Sequence, residues 1–372
     1  MVGILVQMGS HILVYGDGAL SLSRRRCRIV SGLEAAGGGG VRWQVLEQVD
    51  KELSKGDERA ALNLVKDLQG KPDGLRCFGA ARQIPQRLYT LDELRLNGIQ
   101  TASLLSPVDT TIGSIERSIQ AAAVLGGIAA WNFLELSPQQ IFFSSLGLLF
   151  LWTLDAVSFN GGVSFLVLDT LGHSFSQKYH NRVVQHEAGH FLIAYLLGIL
   201  PKGYTLTSLD ALKKEGSLNV QAGTAFVDFE FVEETLNRFS CIALAGVATE
   251  YLLFGAAEGG VSDINTATDV DLRNLRKHGL LSFSLFTHLY IAANNKHASA
   301  NSREHILDKL LKSLGFTQKK ADAQVRWAVL NTVLILRRHE KARAMLAEAM
   351  SKGQSVGSCV DLIEKTIDVA EL

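Results

Sequence analysis

Cysteine is scarce and scattered in this chain. Cys27, Cys77, Cys241 and Cys359 form no CxxC pair, which argues against a cysteine-built zinc site and a disulfide framework and predicts a reducing compartment. Net charge is absent as well. The 37 basic residues balance 37 acidic ones, so the chain has no electrostatic footprint for nucleic acid or for polyanions in general. No GxxxxGKS/T sequence occurs, so there is no phosphate-cradling loop and no means of working on a substrate with its own ATP. Acidic residues are nearly missing from the first 36 positions, where Asp17 alone precedes Glu34. With several serines and Arg24-Arg25-Arg26 ahead of the glycine tract Gly37 to Gly40, this predicts a transit-like, disordered segment over residues 1–40.

Charge is also missing over two long runs. Ser118 to Leu134 and Leu136 to Leu154 contain no Asp, Glu, Lys or Arg and are separated by Glu135. At 1.5 Å per residue they reach about 25 and 28 Å, just short of the roughly 30 Å hydrocarbon core. That predicts a transmembrane hairpin within residues 118–171, broken mainly at Pro138 and followed by the apolar connector Gly161 to Leu168. A pair of buried helices in a soluble domain has the same composition. Arg117 before the pair and Lys178 and Arg182 after it, with no basic residue in the turn, put both chain ends on the cytoplasm-like side by the positive-inside bias.

What is present is a hydrophobic share of 47% over 372 residues, enough for a core in one large domain or two. One stretch dictates a chemistry: His186-Glu187-Ala188-Gly189-His190, inside a helix expected over Asn181 to Gly198. Two histidines four positions apart lie about 40° apart around a helix, so both imidazoles reach one metal ion from adjacent turns. Glu187 stands beside such an ion, where its carboxylate can take a proton from a zinc-bound water and return it to a leaving amine. Val183, Val184, Phe191, Leu192, Tyr195 and Leu196 make the helix apolar enough to be buried, where two histidines and a glutamate need partners or a metal. Gly189, costing about 1 kcal/mol in mid-helix, predicts the close approach of another backbone.

Elsewhere the periodicity predicts a mainly α protein with a small β-sheet. A helical N-terminal region over residues 41–117 begins with a hairpin, Val41 to Ser54 and Ala60 to Leu68, and contains a short helix capped by Thr90 with Glu93 and ended at Asn97-Gly98. After the histidine helix, Gly203 to Leu209 and Ala222 to Phe231 read as strands. Residues Ala222, Gly223, Thr224, Ala225 and Phe226 are the candidate substrate edge strand, with an ordinary structural hairpin as the alternative. Val232 to Gly255 is helical, and the tail is three helices: Ser302 to Leu314, Lys319 to Lys352, and Cys359 to Val369 behind a Ser358-Asp361 capping box.

Three blocks, His186 to Gly198 (HEAGHFLIAYLLG), Ala245 to Gly255 (AGVATEYLLFG) and Gly260 to Thr268 (GVSDINTAT), resemble in order those of the FtsH-type membrane-anchored zinc peptidases. The resemblance continues weakly through Leu336 to Leu362 and covers about residues 176–370. It implies an HExxH zinc-peptidase domain over residues 172–372, with Zn2+ held by His186, His190 and Asp263 and with Glu187 as catalytic base. By residue type alone Glu250, Glu258, Asp269 and Asp271 compete with Asp263. Glu250 also suits a supporting role, orienting a histidine through its second ring nitrogen. The family's AAA ATPase and aromatic pore have no counterpart, an arrangement that resembles the ATPase-lacking FtsH-like proteins of plants. It implies a chloroplast membrane, thylakoid or envelope, with the peptidase facing the stroma, or alternatively the mitochondrion. The activity implied is hydrolysis of unfolded or exposed polypeptides by a membrane-anchored endopeptidase, alone, as a homo-oligomer, or with AAA-bearing relatives. The rival class is a non-catalytic scaffold or assembly factor that keeps the peptidase fold.

Overall fold

The computed structural model describes residues 38–71, 73–105, 110–135, 137–159, 161–216, 222–227, 233–258, 317–368, 370 and 372. Most of the transit-like segment, the expected helix Ser302 to Leu314, and Asp263, Asp269 and Asp271 lie outside these residues. The described part is mainly helical with one two-stranded sheet.

Helices α1 (Gly38–Ser54) and α2 (Glu58–Leu68) form the hairpin the periodicity predicts. Gly56 turns the chain at φ 79°, and the Asp57 side chain accepts the N–H of Ala60 at 3.0 Å, capping α2. Leu46, Val49, Ala61 and Val65 supply the apolar seam. The glycine tract differs from expectation, since Gly38 to Gly40 form the first turn of α1. Helix α3 (Leu91–Leu96) starts at the expected Thr90–Glu93 capping box and stops at Gly98, whose φ is 69°. A short α4 (Thr101–Leu105) follows.

The apolar runs become α5 (Thr110–Leu134) and α6 (Pro138–Ser158). Pro138 starts α6 at its first position, where the missing N–H has no intrahelical partner to lose, and Ser137 with Gln140 completes a capping box. Both helices show large apolar side chains to the outside, among them Leu125, Trp131 and Phe133 on α5 and Phe142, Leu148, Phe150 and Trp152 on α6. Among the described residues α6 alone is long and apolar enough to cross a membrane, with a mean hydropathy of 1.7 and 6% of that window buried. The connector is a helix, α7 (Gly162–Phe175), that packs against α5, α6 and the histidine helix. Asp155, at the end of α6, accepts the N–H groups of Val163 at 3.0 Å and Ser164 at 2.9 Å, a carboxylate on the amino end of α7.

Helix α8 (Gln177–Leu196) is the centre of the fold, buried from His186 through Leu196. Around it stand β1 (Pro201–Thr205), α9 (Ser208–Glu215), β2 (Gly223–Phe226), α10 (Glu233–Ala243), α11 (Ala245–Phe254), α12 (Gln318–Arg338), α13 (Glu340–Ser351) and α14 (Val356–Thr366). The strands are antiparallel, pairing Gly203 with Ala225 and Thr205 with Gly223. The first is shorter than expected because the Thr207 hydroxyl accepts the N–H of Asp210 at 3.0 Å and starts a helix there. The long tail helix is likewise two pieces, broken at His339 (φ −110°, ψ 33°). Its successor begins three residues early: Ser355, not Ser358, caps α14 by accepting the N–H of Ser358 at 3.2 Å. Asp361 instead binds Arg42 Nε at 2.9 Å and Lys365 Nζ at 2.5 Å, tying α14 to α1.

Candidate metal centre

His186 and His190 face one another from adjacent turns of α8, with their Nε2 atoms 3.2 Å apart. The opposite ring nitrogens decide the protonation. His190 Nδ1 lies 2.8 Å from the carbonyl oxygen of Ile242, and His186 Nδ1 lies 2.6 Å from Glu250 Oε1. A carbonyl and a carboxylate only accept, so each imidazole carries its proton on Nδ1 and turns an Nε2 lone pair toward its neighbour. Two lone pairs at that distance repel unless a cation lies between them. Ligand nitrogens about 2.0–2.1 Å from a tetrahedral zinc stand roughly 3.3–3.4 Å apart, so the pair has the spacing of two zinc ligands.

The space for the rings is made by glycine. A Cβ at Gly246 on α11 would lie 2.1 Å from His186 Nε2, so a larger residue would displace the imidazole. A Cβ at Gly189 would meet Thr249 Oγ1 at 2.2 Å and the Ala245 carbonyl at 2.9 Å. The backbone whose approach Gly189 predicts is thus that of α11.

Glu187 is 3% exposed and accepts the Thr224 hydroxyl on Oε2 at 2.8 Å. Strand β2 therefore runs beside the Glu187 carboxylate, with Gly223, Thr224, Ala225 and Phe226 in the strand and Ala222 just before it. The expected continuation to Phe231 lies largely outside the described residues.

Glu250 meets His186 at Nδ1, the nitrogen that faces away from His190. Its second oxygen accepts Arg182 Nε at 2.7 Å and the N–H of Glu258 at 2.7 Å. Burial pushes the Glu250 carboxyl upward, but the hydrogen bonds of His186, the Glu258 N–H and Arg182 outweigh it and hold the group below the ordinary glutamate value. Glu258, another competitor by type, binds Arg182 Nη1 at 3.0 Å. Asp263 lies outside the described residues, and among those residues no group of three or more His, Cys, Asp or Glu is arranged to hold a metal. His186 and His190 have the spacing of two zinc ligands; a third, Asp263, is implied by the family resemblance alone.

No family model, curated protein or solved structure matches this chain. The reading of the centre accordingly stands on its geometry. Sequence reasoning missed Gly246, the Ile242 carbonyl and Arg182. Arg182 had been counted as a flanking membrane charge, yet it is 6% exposed and enclosed by carboxylates, which removes it from the positive-inside count. Its position one turn before His186 on the same helix was the available signal.

Proposed function

We propose that the chain is a membrane-anchored zinc metalloendopeptidase of FtsH type that hydrolyses unfolded or exposed polypeptides without an ATPase module of its own. The observation that carries this is the pair of Nε2 lone pairs converging at 3.2 Å beside the buried Glu187 carboxylate. His186 and His190 would hold the ion, with Asp263 as the third protein ligand that the family resemblance implies. Zinc, when bound, supplies Lewis acidity that polarises the scissile carbonyl and brings the pKa of water toward neutrality. Glu187 takes the proton of the attacking water and delivers it to the leaving amine nitrogen, so the peptide bond is replaced by a carboxylate and an amine. Thr224 fixes the Glu187 carboxylate through Oε2.

The same strand suits substrate binding. Val227 N–H donates to the Leu200 carbonyl and Gly223 N–H to Thr205 Oγ1, so alternation turns the main-chain groups of Thr224 and Phe226 to the other edge. Among the described residues β2 pairs only with β1, and an extended peptide laid along that outer edge would pass the Glu187 carboxylate. The apolar exteriors of α5 and α6 support anchoring in a bilayer as a hairpin. The transit-like composition of residues 1–40 supports a plastid membrane, and Arg117 and Lys178 outside a turn that has no basic residue support the stromal side for the peptidase.

The test compares wild type with Glu187→Gln. Both should bind one zinc, because Glu187 serves the water, and only wild type should cleave an unstructured peptide. Equal cleavage by the two would refute the assignment of Glu187. Zinc binding without cleavage by either would favour the scaffold.

A further inference from the structure

Glu258 lies just past the end of α11 and is held from three directions. Its Oε2 accepts the N–H of Thr111, in the first turn of α5, at 3.2 Å. Its Oε1 meets Arg182 Nη1 at 3.0 Å, and its own N–H donates to Glu250 Oε2 at 2.7 Å. The Arg182 guanidinium is engaged on every side, donating through Nε to Glu250 Oε2 at 2.7 Å and through Nη2 to the Ala256 carbonyl at 2.5 Å, with its plane 4.6 Å from the centre of the Phe254 ring. Glu250 then holds His186 Nδ1 at 2.6 Å. A continuous line of polar contacts therefore runs from the amino end of α5 to a metal-facing histidine.

Charge explains why the line needs α5. Two carboxylates, Glu250 and Glu258, share one guanidinium, and the three side chains are 2%, 12% and 7% exposed respectively, so water screens them little. The second negative charge is met by the amino end of α5, which presents an N–H without an intrahelical partner and about half a positive charge from the helix dipole. If α5 shifts, Glu258 loses that partner and the sharing of Arg182 changes. The position of the Glu250 carboxylate against His186 Nδ1 changes with it, and a ligand's outer hydrogen bond tunes its hold on a metal.

We propose that Glu258 is a positioning residue through which the seating of α5 sets the zinc affinity of the histidine pair. This rests on the metal reading of that pair. A peptidase built this way would hold its metal most firmly when its anchor is properly placed.

The experiment uses the full chain in phospholipid nanodiscs, with zinc affinity read by chelator competition and ligand geometry by the visible absorption of the Co2+ form. Glu258→Ala should weaken zinc binding several-fold, less than the roughly 10 to 100-fold expected where the residue touching the ligand is changed, and alter the Co2+ spectrum, with helical content by circular dichroism retained. Glu258→Gln keeps one acceptor oxygen in place of two, enough for Arg182 Nη1 or the Thr111 N–H but not both, and should recover part of the affinity. Thr111→Pro removes the N–H that Glu258 accepts together with the side-chain hydroxyl, in a first turn that tolerates proline, and should weaken binding in the same direction, whereas Thr111→Val, which loses the hydroxyl and keeps the N–H, should not. The proline variant reports on the coupling even if the alanine variant folds poorly. Wild-type affinity and spectrum in Glu258→Gln and Thr111→Pro alike would overturn the coupling while leaving the metal site intact. Failure of wild type to take up either metal would refute the metal reading itself, and the coupling with it.

Discussion

Gly246→Ala is the sharpest perturbation of the histidine pair. The new methyl would lie 2.1 Å from His186 Nε2, 2.3 Å from Cδ2 and 2.5 Å from Cε1, so the ring must retreat by more than ~1 Å to reach the ~3.5 Å of ordinary contact. Stability should change little. Alanine is favoured over glycine in a helix by about 1 kcal/mol, overpacking costs about 1–3 kcal/mol, and the net loss is at most about 2 kcal/mol, or about 3 °C in Tm for a unit of this size. Metal binding should change far more, because displacing a ligand must exceed the roughly 10 to 100-fold effect of disturbing only its outer partner. With zinc at 100 times its Kd, wild type gains about 2.7 kcal/mol, a rise of about 4 °C. The assay is a thermal melt with zinc and with chelator, in which the variant should show no rise at that zinc concentration. Gly189→Ala is the control, since its methyl meets the Ala245 carbonyl at 2.9 Å and Thr249 Oγ1. It should lower stability by parting α8 from α11. A Gly246→Ala protein with wild-type zinc affinity would mean that His186 does not present Nε2 to the metal.

Other perturbations separate the remaining roles. Glu250→Gln should weaken zinc binding by about 10 to 100-fold without abolishing it, measured by the same competition, whereas Asp263→Ala should remove it. Thr224→Val deletes the hydroxyl on Glu187 Oε2 and should lower cleavage about fivefold, the effect of about 1 kcal/mol, with zinc content unchanged. Alkaline carbonate should leave the full chain in the membrane pellet; release into the supernatant would mean that the exteriors of α5 and α6 are covered by protein. Asp169 gives a pH signature. Burial raises its carboxyl, but His173, the Ser208 N–H at 2.7 Å and the Tyr179 hydroxyl at 2.8 Å outweigh this and hold it below the ordinary aspartate value. A depressed folded pKa contributes stability above the unfolded value near ~3.9 that is lost as pH falls through the folded one. The Tm deficit of Asp169→Asn should therefore be largest at neutral pH and shrink below pH ~4, and a deficit independent of pH would contradict the ionised pairing.

What the sequence determined by itself was local. The helix bearing His186, Glu187 and His190, the Thr90–Glu93 cap and the hairpin turned at Gly56 were legible because periodicity, capping and a positive φ act within a few residues. So was the need for a close neighbour at Gly189. Where local signals competed, sequence reasoning slipped. Ser355 and Ser358 both resemble caps, and the choice fell to packing, which commits Asp361 to Arg42 on α1, 319 residues away. Arg182 looked like a flanking surface charge because a residue's own neighbours do not reveal a carboxylate 68 positions later in the chain. The tertiary structure alone decided that Glu250 faces Nδ1 of His186, that Ile242 sets the tautomer of His190, that Gly246 leaves room for the ring, and that Thr224 holds Glu187. Each depends on α10, α11 or β2 being brought against α8 by burial of apolar surface, a non-directional force that no short window of sequence encodes.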